Sequence, residues 1–211
     1  MSSTKEVPLD SAYYAPSIPS QRCSLHITLL KVIASVILGL GALALVLWLA
    51  IRPHNIKVYV VAANLTQFDL RNGSTLHYIL NLDMIVRNPN KKVSINYDRL
   101  EATASYEGVR FGWEDLPPFY QGHKNTTNFS ANFRGQQVTV LSESKIIRFN
   151  QEKSSGVFNI DLKLNTRIRF KMGAIKTKHM KPDVECHLRV PFASNGTLVT
   201  GFTSTECKVN I

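Results

Sequence analysis

The chain has 211 residues, 44% of them hydrophobic, and a formal net charge of +10. That length holds one globular domain, or one domain and an anchor, and leaves no room for a second large domain. The basic balance raises nucleic acid as a partner, but no nucleic-acid motif is present and none is expected to bind.

Residues 1–31 come first and are expected to form a disordered cytoplasmic tail. They hold Pro8, Pro16 and Pro19 among serines, tyrosines and charges, with no apolar period over the first 24. Cys23 lies close to the apolar run that follows, where S-palmitoylation and a spectator thiol are both open.

From Val32 to Ile51 the chain reads VIASVILGLGALALVLWLAI, twenty residues without a charge. At about 1.5 Å per residue such a helix covers the hydrocarbon thickness of a bilayer. Core helices of globular proteins rarely lack a polar face for so long. A cleaved signal peptide would have a short leader, an apolar run of roughly 7–15 residues and small residues at the cut. Here 31 residues precede the run, and it ends near Trp48 and Leu49. An uncleaved transmembrane signal-anchor over 32–51 is the expectation.

Flanking charge scarcely orients this anchor, since Arg22 and Lys31 on one side face Arg52 and Lys57 on the other. The Asn-x-Ser/Thr acceptors do better: Asn64, Asn72, Asn125, Asn128 and Asn195 all follow the helix. A modified asparagine must face the secretory lumen. Sugars on both Asn125 and Asn128 would crowd, and Asn64 lies near the membrane, which leaves Asn72 and Asn195 as the strongest acceptors. The only cysteines beyond the helix are Cys186 and Cys207. An isolated pair in an exported domain points to a disulfide, with two buried free thiols as the alternative. The N-terminus is therefore expected in the cytoplasm and residues 52–211 outside.

That exported segment alternates. Leu76, Tyr78, Leu80, Leu82, Met84 and Val86 make one apolar face of a half-buried strand, and Asn88-Pro89-Asn90 breaks it as a turn. Leu100, Ala102, Ala104 and Tyr106 form a second run, turned at Glu107-Gly108 into a return strand through Val109, Phe111 and Trp113. Further runs follow at Thr127–Phe133, Phe158–Leu164, Ile168–Met172 and Cys186–Val190, while Leu141–Gln151 suits a short helix. Seven or more short strands without long helical patterns indicate an all-β, antiparallel β-sandwich behind one transmembrane helix.

Two segments carry a resemblance. Asn88-Pro89-Asn90-Lys91-Lys92, followed by Ile95, Tyr97 and Asp98, resembles a signature of plant NDR/HIN-like (NHL) proteins. Phe119-Tyr120-Gln121-Gly122-His123-Lys124-Asn125-Thr126-Thr127 is similar to a second, found in their harpin-induced branch. The resemblance implies a late-embryogenesis-abundant group 2 domain, also called the water-stress and hypersensitive-response domain, with a fibronectin- or immunoglobulin-like sandwich. It also implies a plasma-membrane protein of plant pathogen response and, in some relatives, of abiotic stress.

Catalytic constellations are missing from the sequence. A short tail, an anchor and a lumenal domain are also the layout of Golgi glycosyltransferases, but the seven Asp residues never take Asp-x-Asp spacing. Gly-x-Ser-x-Gly, His-Glu-x-x-His and phosphate-cradling glycine loops are absent too. No enzyme, metal or other cofactor is expected. Tyr120, Gln121, Gly122, His123 and Lys124 offer a recognition loop, or a polar turn bearing sugar. Residues 52–211 hold 22 Lys or Arg and 13 Asp or Glu, a balance that suits anionic lipid headgroups or acidic wall polysaccharide and equally suits general solubility. The leading expectation is a defence signalling or adhesion component acting through protein or cell-wall partners. A lipid- or apolar-ligand-binding module, or a membrane protectant in water stress, are the alternatives.

Overall fold

The computed structural model describes residues 21–51, 55–192 and 201–210. The chain separates into two compact units, Met1–Arg52 and Pro53–Ile211.

The first unit contains α1, Gln21–Ile51. Its stretch His26–Val46 is long and apolar enough to cross a bilayer, and the described side chains along it are exposed. The helix starts eleven residues before the uncharged run, so residues 21–31, expected as the end of the tail, are helical instead. Leu25, Ile27, Leu29 and Leu30 continue the apolar stretch, and an established helix extends readily through such residues. Lys31 is carried inside it, where a long stem can deliver an ammonium to the interface.

The second unit is an antiparallel β-sandwich. Its strands are β1 Lys57–Arg71, β2 Thr75–Arg87, β3 Ser94–Tyr106, β4 Val109–Leu116, β5 Phe119–Gln121 and β6 Thr126–Val138. After helix α2, Glu143–Ser155, come β7 Val157–Met172, β8 Ile175–Lys176, β9 Asp183–Pro191 and β10 Thr205–Asn210. The strand order is β4-β3-β7-β9-β10-β1-β2-β6, with β5 on β3 and β8 on β7. Residues that alternate inward from both sheets meet in one core, among them Leu65, Leu80, Leu82, Ala102, Ile160 and Leu162. A ring cluster of Phe68, Tyr106, Phe111, Phe149 and Phe158 fills the half nearest α2. Phe149 is the side chain through which α2 enters the core, rather than the Leu141 expected inside the helix, which is buried just ahead of it.

Two hairpins show why the turns fall where they do. Asn72-Gly73 and Glu107-Gly108 both have positive φ at successive positions, the backbone of the turns that match strand twist. The expected runs 158–164 and 168–172 prove to be one strand, β7. A register shift between Tyr97 and Arg99 of β3 absorbs the irregularity between them. At the far seam β4 approaches β6: the Asn132 amide donates to the Glu114 carboxylate. A Cβ on Gly112 would come within 2.8 Å of the Phe133 ring, so only glycine permits this contact.

β10 joins the two sheets. Thr205–Cys207 pair with β1, and Lys208–Asn210 pair with β9. Cys186 of β9 and Cys207 of β10 form the disulfide, with a Cα–Cα distance of 4.5 Å. The β9–β10 register, Lys208 opposite Glu185, places Cys207 opposite Cys186 where β10 leaves one sheet for the other. Closing a loop of this length by cross-linking restricts the unfolded chain by about 3 kcal/mol. Reducing the bond, or the Cys186→Ser/Cys207→Ser double substitution, is expected to lower unfolding stability by that amount in denaturant titrations. No change would show that β10 is held by its ladders alone.

Candidate functional site

The turn after β2 and the loop between β5 and β6 are far apart in sequence but form one structure. Asn88 is fully buried. Its Nδ2 donates to the Val93 carbonyl at 2.8 Å and to the Gly122 carbonyl at 2.9 Å. Its Oδ1 accepts from the Asn90 backbone amide at 3.1 Å and from Asn90 Nδ2 at 3.0 Å. The backbones then lace together: Asn88 N donates to Asn125 O at 2.9 Å, and Lys124 N donates to Asn90 O at 3.0 Å. From the other loop Gln121, also fully buried, sends Nε2 to Val86 O at 2.8 Å and to Asn125 O at 3.1 Å. Two side-chain amides thus bond four backbone carbonyls where the β1–β2 and β2–β6 ladders run out.

This frame decides what the loop offers outward. The two-residue period of β5 turns Phe119 and Gln121 inward and Tyr120 outward. Phe119 stacks on Tyr97 with ring centroids 4.4 Å apart. Tyr120 is 56% exposed, and His123 and Lys124 are exposed beside it. Lys124 has a φ of 49°, an uncommon backbone for a lysine, held by its bond to Asn90. Of the expected recognition residues, Gln121 therefore serves the loop's shape while Tyr120, His123 and Lys124 form its face. Gly122 contributes its carbonyl to Asn88.

The expected sugar acceptors are scattered. Asn72 is exposed in the first hairpin turn, where its positive φ also explains why an asparagine stands there. Asn125 and Asn128 are exposed at and after the frame, and Asn125 Oδ1 accepts from the Thr126 amide at 2.8 Å. Asn64 is half-buried on β1 opposite Asn81. Asn195 lies outside the described residues, as does the side chain of Cys23.

Beneath the frame the sheets leave a cavity of about 20 Å³ lined by Val58, Val86, Tyr97, Leu164 and Val184. That volume is on the order of one water and has no room for an acyl chain. The Tyr97 hydroxyl is buried there without a hydrogen-bond partner, and burial pushes its pKa well above the ordinary tyrosine value. Nearby Asp98 accepts two bonds from the Arg169 guanidinium, at 2.7 and 2.5 Å, which hold its carboxyl below the usual range. Among the described residues no group of three His, Cys, Asp or Glu could hold a metal ion.

Comparison with known proteins finds relatives that match most of the chain. Residues 83–186, which include both loops and Cys186, match the family model for late embryogenesis abundant protein, LEA_2. NDR1/HIN1-like protein 10 of Arabidopsis thaliana is 43% identical over 212 residues, covering 92% of this chain and 93% of that protein. NDR1/HIN1-like protein 3 of the same plant is 35% identical over 227 residues, covering 96% and 98%. These families are not enzyme families.

The frame makes a sharp forecast. Gln121→Glu keeps the shape but replaces the donor by a carboxylate facing two carbonyls, at an expected cost of about 3 kcal/mol near neutral pH. Burial would raise the new group's folded pKa above its unfolded value of about 4.3. The deficit therefore shrinks as pH falls through the folded pKa, because a neutral carboxyl can again donate. Denaturant melts across pH check this, and a pH-independent change within about 0.5 kcal/mol would contradict the frame.

Proposed function

The chain belongs to the NDR1/HIN1-like family, plant stress and defence proteins with a late embryogenesis abundant domain, and we propose on that premise a non-enzymatic, membrane-anchored component of defence signalling. In this reading α1 is the anchor in the plasma membrane, the tail is cytoplasmic and the sandwich is extracellular. Its mechanism is binding to protein or cell-wall partners through the loops of the sandwich.

The observation that carries the reading is the laced loop pair. Asn88 and Gln121 spend every donor of their amides on fixing backbone, and Tyr120, His123 and Lys124 stand on the result. Binding residues on loops positioned by a rigid scaffold lose little entropy on meeting a partner. The outward placement is supported by a disulfide and by exposed acceptors at Asn72, Asn125 and Asn128, all suited to an oxidising, glycosylating compartment. The small cavity speaks against carriage of a lipid in the core.

The test is complementation of a null line challenged with elicitor. The wild-type chain is expected to restore the response. A triple Tyr120→Ala/His123→Ala/Lys124→Ala variant, which leaves Asn88 and Gln121 in place, is expected to accumulate normally and fail. Full restoration by the triple variant would remove the loop as the binding surface. A null line that responds normally would remove the defence role itself.

A further inference from the structure

The two ends of the sandwich differ sharply in charge. β1 begins six residues after the end of α1, a reach of at most about 21 Å, so the end where β1 starts is covalently the anchored end. Antiparallel pairing brings loops 88–93, 122–125 and 173–182 to that same end, because β2, β5 and β7 finish there and β3, β6 and β9 begin there. These loops hold Lys91, Lys92, Lys124, Lys176, Lys178 and Lys181 and no acidic residue. The described loops of the opposite end, 72–74, 107–108, 139–156 and 201–204, hold three basic and three acidic residues. Charge serving solubility alone would be spread over both ends.

Acids close to the anchored end are already engaged. Asp98 is held by Arg169, Asp183 lies 3.2 Å from Lys163, and Glu206 lies 3.4 Å from Lys57. Among the described residues none of the six loop lysines pairs with a carboxylate. A second feature says what the lysines face. The β7–β8 hairpin turns between Met172 and Ile175, with Gly173 at a φ of 58°. Its tip reads Lys171-Met172-Gly173-Ala174-Ile175-Lys176, four apolar residues between two lysines, and Ile175 is 66% exposed. An acidic polysaccharide would satisfy the lysines and leave this tip in water. A bilayer surface takes both, with ammonium groups on phosphates and apolar atoms at the headgroup–acyl boundary.

We infer that the anchored end of the sandwich docks on the phospholipid bilayer, with Lys91, Lys92, Lys176, Lys178 and Lys181 on headgroup phosphates and the Met172–Ile175 tip dipped into the interface, while Lys124 stays with the recognition face of its own loop. The inference rests on α1 being a bilayer anchor, and holds whichever leaflet the domain faces. Docking would fix the sandwich against the membrane, so that the opposite end, with α2, points away from it.

The experiment uses the full chain in proteoliposomes of phosphatidylcholine with and without phosphatidylglycerol. An environment-sensitive fluorophore is attached through Ala174→Cys in a Cys23→Ser background, with Val140→Cys, exposed at the opposite end, as the control. Flotation with the vesicles checks the anchor separately, and failure to float would overturn that premise. The label at 174 is expected to shift to the blue and to be quenched by headgroup-proximal nitroxide lipid, and the label at 140 to do neither. Lys176→Glu/Lys178→Glu/Lys181→Glu should abolish the quenching, and salt should weaken it, as screening over about 10 Å requires. Ile175→Ser should reduce the quenching with every charge kept, and circular dichroism and an intact disulfide confirm that each variant is folded. Equal, absent quenching at 174 and 140 would overturn the inference. So would a shift at 174 that appears only when polygalacturonate is added, which would assign the lysines to wall acid.

Discussion

One six-residue strand has to serve two sheets. β10 gives its first half to β1 and its second half to β9, and through it the β6-β2-β1 layer is joined to the β9-β7-β3-β4 layer. Three residue pairs on either side make a weak ladder, since a strand gains its stability from cross-strand neighbours along its length. The Cys186–Cys207 bond sits at the point of exchange, where the ladder to β9 gives way to the ladder to β1. It therefore fixes the relative position of the two inner faces on which the core depends. An exported location suits this device, because the bond persists only where thiols are oxidised.

From that joint the rest of the domain can be followed outward. At one end the aromatic cluster of Phe68, Tyr106, Phe111 and Phe158 is closed by Phe149 from α2, while Lys145 and Arg148 reach back to Glu107 in the β3–β4 turn. At the other end the closure is polar. Asn88 and Gln121 bond backbone carbonyls where the ladders end, and a buried amide without such partners would cost more than it gives. The two motifs that looked like separate turns are therefore one unit. Its inner half holds the fold and its outer half presents Tyr120, His123 and Lys124. That division explains how a conspicuous loop can be structural and still present an exposed face.

Much of this was legible in sequence because it depends on local period. β2 and the second half of β3 were readable from alternation, and the Glu107-Gly108 turn from its chemistry. In β4 the expected run Val109, Phe111 and Trp113 is broken by a register shift that leaves Trp113 exposed. β1 was not readable, for a physical reason: shifts between Val60 and Ala62 and between Leu65 and Gln67 change the spacing of its buried residues from two to three. β10 is too short for any period to register. The helix boundary of α1 was misplaced because charge, not helical propensity, had marked its start. The lacing of residues 88–90 to 121–125 depends on partners more than thirty positions apart, so no local pattern carries it. A signal existed all the same: alternation from Phe119 turns Gln121 inward, and an inward glutamine needs partners. The gathering of six lysines at one end became visible only once antiparallel pairing had assigned each loop to an end.

The central claim is an anchored sandwich exported across the membrane and joined by one disulfide. Gel mobility of the full-length protein from plant membranes, with and without N-glycanase and reductant, tests it most directly. The account predicts a downward shift with glycanase and a band whose mobility depends on reductant. No glycanase shift, with protease protection showing the domain in the cytosol, would contradict it and invert the topology.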